Sequence, residues 1–237
     1  MKRKSIWPLL LAATIGLAIL LSLGIWQVNR LAEKQALIAS IEARMIAAPI
    51  SLGKAVAQHD QAVDIEFMRV KASGRFLETP AFRRLSTFEG GPGWTLIQPF
   101  QSDDGVFVLV ERGSIALDDK DQSAITAPAG TLTIDGLLRR HDKGRGLFDE
   151  DNDEVGNQWF WWDIPAMIAR AQPPAEVNVA PFILHLLPNP QGPAKPFVAA
   201  PKAELRNNHL GYAITWFGLA AVLLVMTAML VMRIRKA

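Results

Sequence analysis

Two long uncharged stretches bracket the chain. No charged side chain occurs from residue 5 to residue 29, and the apolar run 6–25 is long enough, at about 1.5 Å per residue, to cross a hydrocarbon core of about 30 Å. A second uncharged stretch covers residues 210–232. Both are expected to be transmembrane helices. A cleaved signal peptide would also follow Lys2, Arg3 and Lys4, but the apolar region exceeds the usual length of roughly 7–15 residues and no A-x-A site follows, so a retained anchor is expected.

Between the spans the pattern changes twice. Residues 31–41 place good helix formers and apolar side chains at three-to-four spacing, which predicts that the first span continues as helix until Pro49 stops it. Ser51 is a candidate N-cap for a short helix reaching Gln58. Residues 65–76, 94–100, 106–111, 131–138 and 177–187 then read as strands, the last with a possible break at Pro181, and Asp163-Ile164-Pro165 reads as a helix start. The prolines between Pro188 and Pro201 favour an extended return to the membrane. The expected architecture is a membrane protein with two transmembrane α-helices flanking a mostly β (α+β) extramembrane domain, divided as 1–29, 30–208 and 209–237. Strand pairing, and barrel against open sheet, stay open at this level.

The placement of charge orients this arrangement. Of 25 cations, six lie at the ends (Lys2, Arg3, Lys4, Arg233, Arg235, Lys236), leaving 19 against 23 acids between the spans, a net −4 there. The pI near 9.0 belongs to the tails. Cations outside both spans put both termini in the cytoplasm or its mitochondrial equivalent, and the balance gives no large nucleic-acid-binding face. With no cysteine, disulfides, thiolate zinc sites and iron–sulfur clusters are excluded.

Catalytic signatures are sparse. No G-x-S-x-G, H-E-x-x-H, Walker A or complete G-x-G-x-x-G occurs, and Gly90-Gly91-Pro92-Gly93 reads as a turn before a strand. The acidic run 149–154 begins like a calcium loop but has Glu154 where glycine is needed and Phe160 where a bidentate Glu is needed, so a solvated loop is expected. Arg112, ending an apolar strand run before Gly113, suits a buried ion pair or a hydrogen bond to a turn. Among four histidines, His59 ends a helix, His141 sits in a basic hairpin expected to be solvated, and His185 lies inside a strand. His209 differs, because it stands at the outer mouth of the second span, where an ionisable ring is a functional candidate. Helical spacing puts His209, Tyr212 and Trp216 on one face, level with Trp26, Gln27 and Arg30 at the end of the first span; an ordinary aromatic belt would look the same.

Five blocks in order carry a resemblance. LGIWQVNRLAEK, with Gly24, Trp26, Gln27, Arg30 and Lys34, is similar to a G-x-W-Q-x-x-R-x-x-x-K signature; GPGWTLIQPF and VLVERGSI resemble two central blocks; NQWFWWDIPAM and NNHLGYAITWFGLA resemble two closing ones. Together they resemble the Surfeit locus protein 1 family of cytochrome c oxidase assembly factors. One departure is Ser114 after Arg112-Gly113, where that family usually has a bulky aromatic. The resemblance implies a non-enzymatic assembly factor for haem-copper terminal oxidases, working as haem a enters the catalytic subunit. It also implies His209 as an axial ligand to the haem iron, with Tyr212 and Trp216 packing on the macrocycle. Arg30 and Arg206 are the nearest cations for its propionates. The implied partners are the oxidase catalytic subunit, haem a synthase and membrane lipid, in a bacterial inner membrane or its mitochondrial counterpart. A cofactor-free scaffold holding an oxidase subunit is the alternative.

Overall fold

The protein is described here by a computed structural model covering residues 6–119, 125–142, 144–190, 195–199 and 207–236. In chain order its elements are α1 (Trp7–Ile46), α2 (Leu52–Asp60), β1 (Arg69–Phe76), β2 (Phe82–Phe88), β3 (Gly91–Ser102), β4 (Val106–Ala116), β5 (Leu132–Arg139), β6 (Gln158–Trp159), α3 (Ile164–Ala171), β7 (Asn178–Leu186) and α4 (His209–Lys236). They fall into two compact units, Met1–Glu42 with Ala203–Ala237, and Ala43–Lys202.

In the first unit α1 and α4 pair antiparallel. Small residues let them approach: a Cβ at Gly24 would fall 2.6 Å from the Phe217 ring and one at Gly16 would fall 3.1 Å from Leu223, while Ala213 and Ala220 are buried. The apolar windows of both helices are only 6 % buried, so their exterior suits lipid, unlike the core helices of a soluble protein. As the sequence pattern predicts, α1 continues past residue 29 without a break, with Pro49 just beyond its end.

The second unit is built on a sheet that closes on itself. Strand order is β1-β5-β7-β4-β3-β2-β6, and β1 also pairs with β3, so β1, β5, β7, β4 and β3 form a ring from which β2 and β6 extend. The switch occurs at Gly74, which pairs with both Leu132 and Ser102; a Cβ there would lie 2.1 Å from the Gln101 carbonyl oxygen. Alternation along the strands turns Val70, Phe76, Phe100, Val108, Val110, Phe182 and Leu184 into one buried cluster with Leu52, Ala55 and Val56 of α2. Ser51 caps α2, its hydroxyl accepting from the Lys54 N–H. On the other face Ile97, Phe107, Leu109, Ile183 and Trp159 pack against Ile164 and Met167 of α3, whose N-cap is Asp163.

Three expectations need correction. Strand β1 begins only at Arg69, because residues 65–67 form a turn with Phe67 at φ +61°. Strand β2 was not predicted, since Arg83 and Arg84 interrupt its apolar alternation; their guanidiniums lie over the Trp94 and Trp162 rings. Nor does Pro181 break β7. The register passes from Phe107↔Val179 to Leu109↔Ile183, so the strand bulges there and keeps Pro181 out of the ladder.

A second bulge lies in β4, where Leu96 faces Gly113 and Ile97 faces Glu111, leaving Arg112 unopposed. Arg112 is 5 % exposed, with its guanidinium over the Phe76 ring and donating to the Ile125 carbonyl at 3.4 Å. Gly113 has φ +120°, and a Cβ there would lie 2.5 Å from the Phe197 carbonyl oxygen, because residues 195–199 bridge to β4 through reciprocal Ser114–Phe197 hydrogen bonds of 2.8 Å. Gly113→Ala is therefore expected to destabilise the extramembrane domain by about 2–3 kcal/mol, while Gly91→Ala, whose Cβ would meet only the Phe88 carbonyl oxygen at an ordinary contact distance of 3.8 Å, should stay within roughly 0.5 kcal/mol. Urea unfolding of the full-length chain in detergent, followed by tryptophan fluorescence, measures both.

Candidate functional site

His209 is the first residue of α4 and is half-buried against α1. Its Nδ1 lies 2.6 Å from the Gln27 Oε1, and the Trp26 ring meets the imidazole edge to face at 6.4 Å. Gln27 is 8 % exposed, on the α1 stripe that also buries Gly24. A side-chain amide inside an apolar helix pair needs a polar partner, and His209 supplies it. The other implied site residues are placed as follows. Tyr212 is 55 % exposed and Trp216 half-buried; among the described residues, the ring touching His209 is Trp26. Arg30 forms an i,i+3 ion pair with Glu33 at 2.5 Å on the exposed side of α1. Arg206 lies outside the described residues.

Gln27 lies within the first motif, and sequence reasoning alone gives it no role. The available signal was an uncharged polar side chain inside an apolar run, one position from a tryptophan.

A second polar cluster sits on the outer face of the ring. The strand register places Glu111 of β4 beside His185 of β7, with Arg139 of β5 a step away. His185 Nε2 is 3.4 Å from Glu111 Oε2 and 3.1 Å from His141 Nε2. His141 stacks on Trp162 at 4.1 Å, and Arg84 lies over the same indole at 4.4 Å. The expected solvated His141 is thus replaced by a ring held in an aromatic stack, because the chain brings Trp162 back against it. Glu111, His185, Arg139 and Ser114 line a cavity of about 180 Å³. The Ser114 hydroxyl is hydrogen-bonded to the Thr95 hydroxyl at 3.2 Å. Arg139 is engaged by Glu66 at 2.8 Å. Among the described residues no group of three or more His, Asp or Glu side chains is arranged to hold a metal ion. In the acidic run, Arg145 pairs with Asp151 at 2.7 Å and Asn152 accepts from the Phe160 and Trp161 N–H groups.

Burial sets the protonation of this cluster. It pushes the Glu111 carboxyl up to about 7, against the pull of Arg84 and Arg139. Burial, reinforced by Arg139 and Arg84, pushes His141 down to about 3 and holds His185 well below the ordinary imidazole range. The two effects oppose each other in pH. A carboxyl raised in the folded state costs nothing below its unfolded pKa, and stability falls as pH rises through the window from about 4.5 to about 7. A depressed imidazole costs nothing above about 6.5, and stability falls as pH drops from there toward 3. Glu111→Gln should therefore stabilise the domain by up to about 3 kcal/mol at pH 8 and converge on the parent protein near pH 4.5. Denaturant unfolding at the two pH values tests this, and an equal difference at both would contradict it.

The matching family model, the SURF1 family, spans residues 14–221. It includes the buried Gln27, the Arg112-Gly113 bulge and His209. A SURF1-like protein of Rickettsia felis is 29 % identical over 225 residues, covering 91 % of this chain and 93 % of that protein. Surfeit locus protein 1 of Rattus norvegicus is 29 % identical over 84 % of this chain and 68 % of its own length, and a SURF1-like protein of Drosophila melanogaster is 30 % identical over 91 % and 73 %. Two membrane-length helices around a β-rich domain, matched along nearly the whole sequence by one family, make this chain a member of the SURF1 family.

Proposed function

We propose that this chain is an assembly factor for haem-copper terminal oxidases that holds haem a at the mouth of its helix pair while the catalytic subunit receives it. The observation carrying the reading is the His209 imidazole, placed at the start of a membrane-length helix with one ring nitrogen committed to Gln27. The residues present fit such a group: one neutral imidazole can ligate iron, Trp26 offers an aromatic wall, and the apolar helix exteriors suit an isoprenoid tail. Bound haem a would supply an iron centre with one position taken by His209. Gln27 and Trp26 orient the ring, and α1 and α4 offer a lipid-level surface. Arg30, paired with Glu33, would have to exchange partners to meet a propionate. A single ligand from the chain leaves the group transferable to an acceptor that has its own ligands. No catalytic step is assigned to the chain.

In this proposal the protein resides in the inner membrane of a bacterium, or that of mitochondria, with both termini on the cytoplasmic or matrix side. Its client is the oxidase catalytic subunit, and haem a synthase is the proposed donor.

A scaffold reading has its own support. Leu147 and Phe148 are 98 % and 101 % exposed beside the acidic run 149–154, an apolar tip with a charged flank that suits protein docking. One variant separates the two. His209→Ala should insert and fold as the parent does but lose at least roughly tenfold in haem a content when purified from haem a-producing cells, while His141→Ala and His185→Ala retain it. Haem a equal to the parent in His209→Ala removes the ligand role and leaves the scaffold reading standing.

A further inference from the structure

We propose that Gln27 is a positioning residue for His209: its amide oxygen takes the Nδ1–H of the imidazole and fixes the tautomer whose Nε2 carries the free lone pair. This inference rests on the haem-ligand reading above and assigns it a residue from the other helix. A neutral imidazole has one donor nitrogen and one acceptor nitrogen. At 2.6 Å from a carbonyl-type oxygen, Nδ1 must be the donor, so Nε2 is left as the acceptor. Trp26, edge to face against the ring, limits its rotation.

The placement of Gln27 supports a dedicated role. Its side chain is 8 % exposed within an uncharged stretch, where an apolar residue would cost nothing to bury. The same helix pair is already joined without it, by Phe217 against Gly24 and Leu223 against Gly16. Ligating histidines generally give their second N–H to an acceptor that raises basicity and holds the ring, and loss of that acceptor costs roughly 10–100-fold in metal affinity. The competing explanation is that the bond only joins two helices. It predicts no effect on the imidazole nitrogens or on a bound iron.

The first test needs no haem. In the full-length chain in detergent micelles, 15N-histidine labelling gives four imidazoles, with His209 assigned by its disappearance in His209→Ala. The expected spectrum has Nδ1 protonated and Nε2 bare, moving toward the opposite tautomer in Gln27→Leu. A protonated Nε2 in the parent protein overturns the proposal, because the Gln27 amide would then be turned to donate.

The second test adds haem a to the same preparations. Gln27→Leu should raise Kd roughly 10–100-fold, and Gln27→Glu should restore affinity and lower the midpoint potential, since an anionic acceptor makes the imidazole a stronger donor to iron. A folded Gln27→Leu with the parent's Kd overturns the inference while leaving His209 as ligand. If His209→Ala itself binds haem a like the parent, the ligand reading falls and this inference with it. Because the chain lacks cysteine, a Gly16→Cys, Leu223→Cys pair reports whether the helices still meet in each variant. Should Gln27→Leu fail that check, the parent's nitrogen spectrum and the Gln27→Glu potential decide, and an unchanged potential counts against the proposal.

Discussion

The extramembrane domain depends on one backbone approach. At Gly74 strand β1 leaves β5 and joins β3, with the Gln101 carbonyl so close that only a hydrogen fits where a side chain would start. Closing the ring there decides which way every neighbouring strand presents its alternate residues. Val108, Val110 and Leu184 turn toward α2, and consequently Leu109, Glu111, Ile183 and His185 turn the other way. The polar row on the outer face is thus a product of closure. Trp162 lies over part of it, against His141 and His185.

How much of this could be read from the sequence depends on how local the cause is. The two spans follow from uncharged length, and the starts of α2 and α3 follow from Ser51 and Asp163, whose side chains satisfy backbone donors within one turn. Strand β2 was hidden because Arg83 and Arg84 look like loop residues until Trp94 and Trp162 arrive to cover them. Ring closure was illegible for a similar reason, since Gly74 meets Ser102 across 28 residues and no periodicity reports that. His141 appeared solvated in a hairpin of arginines; its surroundings come from residues 162 and 185, far along the chain.

The membrane site divides the same way. His209 stood out by position alone. Its partner did not, because a hydrogen bond between residues 182 apart has no local signature. The i, i+3, i+7 argument correctly describes a helix surface but does not say which part of that surface meets the neighbouring helix. Tyr212 lies at the lipid-exposed edge, and the contact falls on the stripe through Ala213 and Ala220. Small residues, which carry no chemistry, decided the geometry of the site.

The amide–imidazole layer between the two helices also acts as a ruler. Phe217 over Gly24 and Leu223 over Gly16 already favour one register of the two helices, and the polar layer adds a directional bond to it. A slide of about 5.4 Å would strand Gln27 against hydrocarbon and forfeit an interhelical bond of about 0.6–2 kcal/mol, with a further penalty for the uncovered amide. A single polar layer thus reinforces the alignment that the small residues favour, as one buried asparagine helps fix register in a coiled coil. A chain whose second helix inserts to the wrong depth would present an unsatisfied polar group inside the bilayer, at a cost that an apolar pair of helices would not incur.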